Sequence, residues 1–174
     1  MKKVLILLTI TIFNLSTAQT NPVEDNYTKK EVYIPMRDGT KLFTIIYTPK
    51  DISKGKKYPF IMNRTCYSIA PYGENNFRKK LNPNKFIEKE KYIFVFQDVR
   101  GRYMSEGIFT NMTPQVDHKT KKDVDESTDT YDTVDWLVKN VQNNDGNVGQ
   151  YGTSYPGFYT AVGTLANHPA LVAS

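Results

Sequence analysis

From Glu31 to Pro49 the chain reads "EVYIPMRDGTKLFTIIYTP", with apolar and polar positions alternating on both sides of Arg37-Asp38-Gly39. Alternation with a period of two places successive side chains on opposite faces of a strand, and Asp-Gly accepts the backbone of a tight turn. The pattern therefore predicts an antiparallel hairpin with strands over 31–36 and 40–48. Two continuous apolar runs follow, "YPFIMNRT" (58–65) and "YIFVFQDV" (92–99), each with the length and composition of a strand covered on both faces. Asn82-Pro83 reads as a cap followed by a first-turn proline, which predicts a helix over 83–90. In "DVDESTDTYDTVDWLVKNV" (123–141) the residues Val134, Leu137, Val138 and Val141 form a helical stripe, with acids first and lysine last as a helix dipole favours. "QNNDGN" predicts a turn, "VGQYG" (148–152) a short strand and "PGFYTAVGTLAN" (156–167) a helix. A hairpin followed by alternating strands and helices implies an α/β fold whose sheet becomes parallel. The segment from Arg100 to Lys122, with Gly101, Gly107 and Pro114, is a loop long enough to suggest an active-site wall.

Composition narrows the class without naming it. At 174 residues, 39 % hydrophobic and 24 % charged, the chain can bury one core and suits a soluble globular domain. The net charge of +5 is spread among acids, with no run of five basic residues, which argues against a nucleic-acid partner. The leader "MKKVLILLTITIFNLSTA" (1–18) joins two lysines, an apolar run and a small-residue cleavage site. It predicts a signal peptide cut before Gln19, and hence a secreted or periplasmic protein. The apolar run is shorter than the roughly 20 residues that span a bilayer, so no membrane anchor is expected. A polar segment over 19–30 then precedes the domain at 31–174. Cys66 is the single cysteine, so no disulfide forms within these residues, and it is expected to be a small buried residue.

The chemistry concentrates in "GNVGQYGTSYPGF" (146–158). Ser154 lies where a strand gives way to a helix, two residues after Gly152 and three before Gly157. A serine oxygen presented at the top of a sheet needs a turn so sharp that only small residues clear the neighbouring backbone. Pro156 is tolerated because the first helical turn has amides without intrahelical partners. Those free amides and the positive end of the helix dipole suit a developing oxyanion, with the Tyr155 N–H as first donor.

Five blocks carry a family resemblance: "RDGTKL" (37–42), "NRTCYS" (63–68), "FQDVRGRYMSEG" (96–107), "DTYDTVDWL" (129–137) and "DGNVGQYGTSYPGF" (145–158). From about Glu31 onward the sequence resembles the Xaa-Pro dipeptidyl-peptidase and cocaine-esterase (CocE/NonD) serine hydrolases, with greatest similarity to bacterial α-amino-acid ester hydrolases. The resemblance implies the N-terminal part of an α/β-hydrolase fold, with Ser154 as nucleophile, the Tyr155 N–H as one oxyanion donor and the Tyr67 hydroxyl as the other. It implies a small-molecule or peptide substrate, either amino-acid esters and amides or Xaa-Pro peptides, and no cofactor or metal. A homo-oligomer of the full-length protein is left open.

The remaining polar residues are expected to be structural. Asp98 and Arg100 suggest a charge-assisted pair pinning the loop after their strand, and Asp129, Asp132 and Asp135 suggest a solvated helix face. The fold orders its triad Ser, acid, His. His118 precedes Ser154, and His168 follows it at the far end of the next helix, about 20 Å away at roughly 1.5 Å per residue. The acid and histidine are therefore expected beyond Ser174. Two alternatives stand beside this reading: a catalytically silent truncated chain, and a simple carboxylesterase. A lipase-like elbow fits less well, because it places glycine where this chain has Pro156.

Overall fold

A computed structural model describes residues 21–51, 55–113, 115–117, 120 and 122–174. The predicted signal peptide, Pro114 and His118 lie outside the described residues. In chain order the elements are α1 (Pro22–Asn26), β1 (Tyr27–Pro35), β2 (Lys41–Pro49), β3 (Tyr58–Thr65), α2 (Lys85–Glu90), β4 (Ile93–Asp98), α3 (Glu126–Asn140), β5 (Asn144–Gln150), α4 (Tyr155–Thr164) and β6 (Leu171–Ala173). The strands form one sheet in the order β1-β2-β4-β3-β5-β6. β1 and β2 pair antiparallel, as do β2 and β4, whereas β4, β3, β5 and β6 run parallel. The expected hairpin and the parallel sheet are both present.

The alternation that predicts the strands also divides the core. On β2, Leu42 and Ile46 face one side of the sheet and Phe43, Ile45 and Tyr47 the other; on β4, Ile93 and Val95 oppose Phe94 and Phe96. The first set packs against Val134 and Leu137 of α3. The second packs against Val23, Ile69 and Leu81. All six residues of β4 are buried, as the apolar run Ile93–Phe96 requires of a strand covered on both faces, and the polar Gln97 and Asp98 at its end are buried with it.

Near the carboxyl ends of the strands the core turns polar. Buried Arg64 donates from Nε to Gln97 Oε1 at 2.8 Å and from Nη1 to Thr130 Oγ1 at 2.8 Å. The Gln97 amide in turn donates to Thr44 and Thr133. These bonds fasten α3 to the sheet through groups that would be costly to bury unpaired.

Several boundaries depart from the expected ones for identifiable reasons. β1 starts at Tyr27 rather than 31, because its pairing with β2 continues to Tyr27↔Pro49. α2 starts at Lys85: its cap is Asn84, whose Oδ1 accepts from Phe86 N, so Asn82 and Pro83 lie before the helix. α3 starts at Glu126, where Asp125 and Thr128 form a capping box. Of the expected turn at 142–147 only residues 142–143 remain outside β5, because Asn144 pairs with Tyr58. β6 and the one-turn α1 carry no pattern long enough to read.

Candidate active site

Ser154 sits at the carboxyl end of the parallel strands, between β5 and α4, the region where open α/β sheets place their sites. The turn is tight. A Cβ added at Gly152 would lie 2.1 Å from the Pro156 carbonyl oxygen, whereas one at Gly157 would stand 3.4 Å from the Gly152 oxygen. The steric demand for glycine therefore falls mainly on position 152. Gly152→Ala should destabilise the protein by about 3 kcal/mol, since the clash is with backbone that has nowhere to move. A thermal midpoint within one or two degrees of the parent would overturn this reading of the turn.

Ser154 itself adopts φ 60° and ψ −126°, and its hydroxyl makes no capping bond to α4. For a residue with a Cβ this backbone costs on the order of 1–3 kcal/mol and persists only where the surroundings enforce it. Three contacts do so. The Gln150 amide donates to Tyr159 O at 3.0 Å, tying the last residue of β5 to α4. Asn63 Nδ2 donates to Tyr151 O at 2.8 Å and Tyr151 N to Met62 O at 3.0 Å, both holding the turn to β3. The outcome is an exposed serine side chain on a fixed base.

Tyr155, the first residue of α4, extends its ring to Tyr67 in the loop after β3, with centroids 6.2 Å apart and planes at 80°. Its hydroxyl donates to Asn111 Oδ1 at 2.5 Å and accepts from Met112 N at 2.8 Å, so the long loop after β4 reaches this place. Tyr67 is 60 % exposed, and its backbone N–H donates to Thr65 Oγ1 at 3.0 Å. Ser154, Tyr155 and Tyr67 are thus gathered at one end of the sheet. Cys66, before Tyr67, is buried as expected.

His168 is committed elsewhere: its Nδ1 accepts from Ala170 N at 3.1 Å, its Nε2 lies 3.7 Å from Asp135 Oδ1, and its ring packs on Tyr131. Among the described residues no group of three or more His, Cys, Asp or Glu side chains is placed to hold a metal ion.

The expected Asp98–Arg100 pair does not form, because the chain turns immediately after β4, with Arg102 N donating to Val99 O, and the two side chains diverge. Asp98 continues on the Phe94 and Phe96 side and is fully buried. It accepts from Ile69 N, the Tyr72 hydroxyl and Met104 N. Burial pushes its carboxyl above the usual carboxylate range against the pull of those bonds. Burial, partly offset by the Ser68 contact, also pushes the Tyr72 phenol up to about 12.

Arg100 turns toward α3, where it bridges Asp129 at 2.7 Å and Asp38 of the hairpin turn at 2.7 Å. Burial disfavours its charge, but the two carboxylates outweigh this and hold the guanidinium firmly protonated. The expected solvated acidic face is accordingly wrong at two of its three positions. Asp129 is 2 % exposed, and Asp132 receives a bidentate contact from Arg37. Asp135 alone remains on the surface, paired with Lys139.

Comparison with known proteins agrees with this architecture. Residues 38–174 match the family of X-Pro dipeptidyl-peptidases (S15 family). Cocaine esterase from Rhodococcus sp. (strain MB1 Bresler) is 32 % identical over 138 residues, covering 78 % of this chain and 21 % of that enzyme. The solved structure of an α-amino acid ester hydrolase superposes with a TM-score of 0.73 at 39 % identity, covering 95 % of this chain and 27 % of that one. An aminopeptidase from a marine sediment archaeon, Thaumarchaeota archaeon, superposes with a TM-score of 0.69 at 39 % identity over 83 % of this chain and 24 % of that one. The chain thus spans between about a fifth and about a quarter of the length of these relatives. With an α/β-hydrolase sheet, a strand-to-helix turn at Ser154 and a match over residues 38–174, the chain belongs to the X-Pro dipeptidyl-peptidase (S15) family.

Proposed function

We propose that this chain carries the nucleophile and the oxyanion donors of an exported serine hydrolase acting on amino-acid esters or amides or on Xaa-Pro peptides. The observation that carries the reading is the strained backbone of Ser154, held at φ 60° in a turn that Gly152 alone can close. Such strain is kept where a side chain must be aimed. In the reaction Ser154 Oγ attacks the substrate carbonyl carbon as a base takes its proton. The tetrahedral oxyanion is stabilised by the Tyr155 N–H and the Tyr67 O–H, and the alcohol or amine leaves with that proton. Water then attacks the acyl-serine and restores the hydroxyl. The base in this reading is a histidine oriented by a carboxylate.

The preference for α-amino acyl groups is supported by the similarity to an α-amino acid ester hydrolase and an aminopeptidase, each at 39 % identity. A panel of a phenylglycine-type amino ester, an Xaa-Pro anilide and a simple aryl ester tests it on the intact protein. The amino ester should be turned over fastest. A preference for the aryl ester would make the protein a simple carboxylesterase, and no turnover of any of the three would overturn the hydrolase reading. One observation favours a second reading for the 174 residues taken alone. Among the described residues the one histidine, His168, is engaged with Ala170 and Asp135 rather than Ser154, which favours an unactivated serine in the described part of the chain.

A further inference from the structure

The Tyr67 ring is exposed, yet the backbone beneath it is tied at almost every residue. Thr65 O accepts from Val99 N at 3.1 Å and Thr65 Oγ1 from Tyr67 N at 3.0 Å. Cys66 O accepts from Arg102 Nε at 3.0 Å. Ser68 takes up the left-handed conformation at φ 78°, and its hydroxyl meets that of Tyr72. Ile69 N donates to Asp98 Oδ1 at 3.1 Å, and Tyr72 O–H donates to Asp98 Oδ2 at 2.9 Å. Asp98 and Arg102 belong to the end of β4 and its following turn, so this one segment holds the Tyr67 loop at points before and after the tyrosine.

Both holders are themselves fixed. The Asp98 carboxylate is fully buried and also accepts from Met104 N, and its backbone oxygen accepts from Ser105 Oγ at 2.6 Å. Ser105 Oγ in turn accepts from Phe43 N at 2.8 Å, which anchors the turn to β2. The Arg102 guanidinium stacks over the Phe109 and Tyr103 rings, with its central carbon 4.9 and 5.1 Å from their centroids. A buried carboxylate surrounded by donors from two loops is costly to desolvate, and its retention needs a reason beyond packing. An oxyanion donor supplies one, because a donor stabilises a transition state only if it is already in place when charge develops.

We propose that Asp98 and Arg102 are positioning residues for Tyr67: they clamp the loop after β3 so that the phenol hydroxyl stands where the oxyanion forms. The proposal rests on the assignment of Tyr67 as an oxyanion donor. It adds that Asp98 and Arg102 act on catalysis only through Tyr67 and touch no reacting atom themselves.

The test is a double-mutant cycle on the intact protein with the ester substrate of highest turnover. Arg102→Met keeps the apolar stem against Phe109 while deleting the bond to Cys66 O, and Asp98→Asn replaces an acceptor oxygen with a donor facing backbone N–H groups. Each should lower kcat by about 10-fold to 100-fold, as loosened positioning does elsewhere, with KM within twofold. In a Tyr67→Phe background the same changes should cost no further activity, because coupled residues are not additive. Arg102→Met, on a partly exposed side chain, keeps the test decisive if Asp98→Asn does not fold. If either variant lowers kcat equally with and without the tyrosine hydroxyl, or neither lowers it at all, the positioning role is overturned while the oxyanion assignment stands. If Tyr67→Phe alone has wild-type kcat, the oxyanion assignment fails first, and the positioning role falls with it.

Discussion

Ser154→Ala in the intact protein should abolish labelling by a fluorophosphonate probe and reduce turnover by about 10⁶-fold, the scale on which removing a serine nucleophile acts elsewhere. The substitution removes only Oγ, which makes no capping bond to α4. Alanine also inherits the same Cβ at φ 60°, so the variant should fold like the parent and its inactivity should be chemical. A companion variant separates the backbone from the chemistry. Ser154→Gly also lacks the proposed nucleophile but relieves the left-handed strain, and it should be more stable than Ser154→Ala by about 1–2 kcal/mol. Undiminished labelling of the alanine variant would exclude Ser154 as the reacting group. Equal stability of the two variants would show that the turn exerts no strain.

The sequence discloses the parts of this site whose demands are local. Gly152 can be anticipated because a turn this tight rejects any side chain, and β3 and β4 because strands covered on both faces carry continuous apolar runs. The partners of charged residues are not local. Asp98 and Arg100 are two residues apart and look like a pair, but a turn after β4 separates them, and apart from Met104 N on Asp98 their partners lie 26 to 62 residues away. The same holds for Asp129 and Asp132. An acidic helix face reads as solvated until the hairpin turn and the β4 loop are known to bring Arg37 and Arg100 against it. One signal was available and points to residues that sequence reading passes over. Polar residues at the carboxyl ends of strands, namely Asn63 and Arg64 on β3, Gln97 on β4 and Gln150 on β5, are the side chains that brace the turn or fasten α3.

Tyr67→Phe should lower kcat by roughly 10²–10³-fold with KM little changed, because it removes one of the two proposed oxyanion donors, a group the ground state scarcely uses. The structure makes this substitution unusually clean. The ring keeps its edge-on contact with Tyr155, and the backbone keeps its bonds at Thr65, Cys66 and Ile69, none of which involves the phenol oxygen. With 60 % of the residue exposed, deletion of the hydroxyl leaves no buried group unpaired, so the thermal midpoint should be unchanged. A fall in kcat without a fall in stability can then come only from the transition state. A Tyr67→Phe variant with wild-type kcat would leave Tyr67 as a surface aromatic packed on Tyr155, and the second donor would have to be sought on another loop at the carboxyl edge of the sheet.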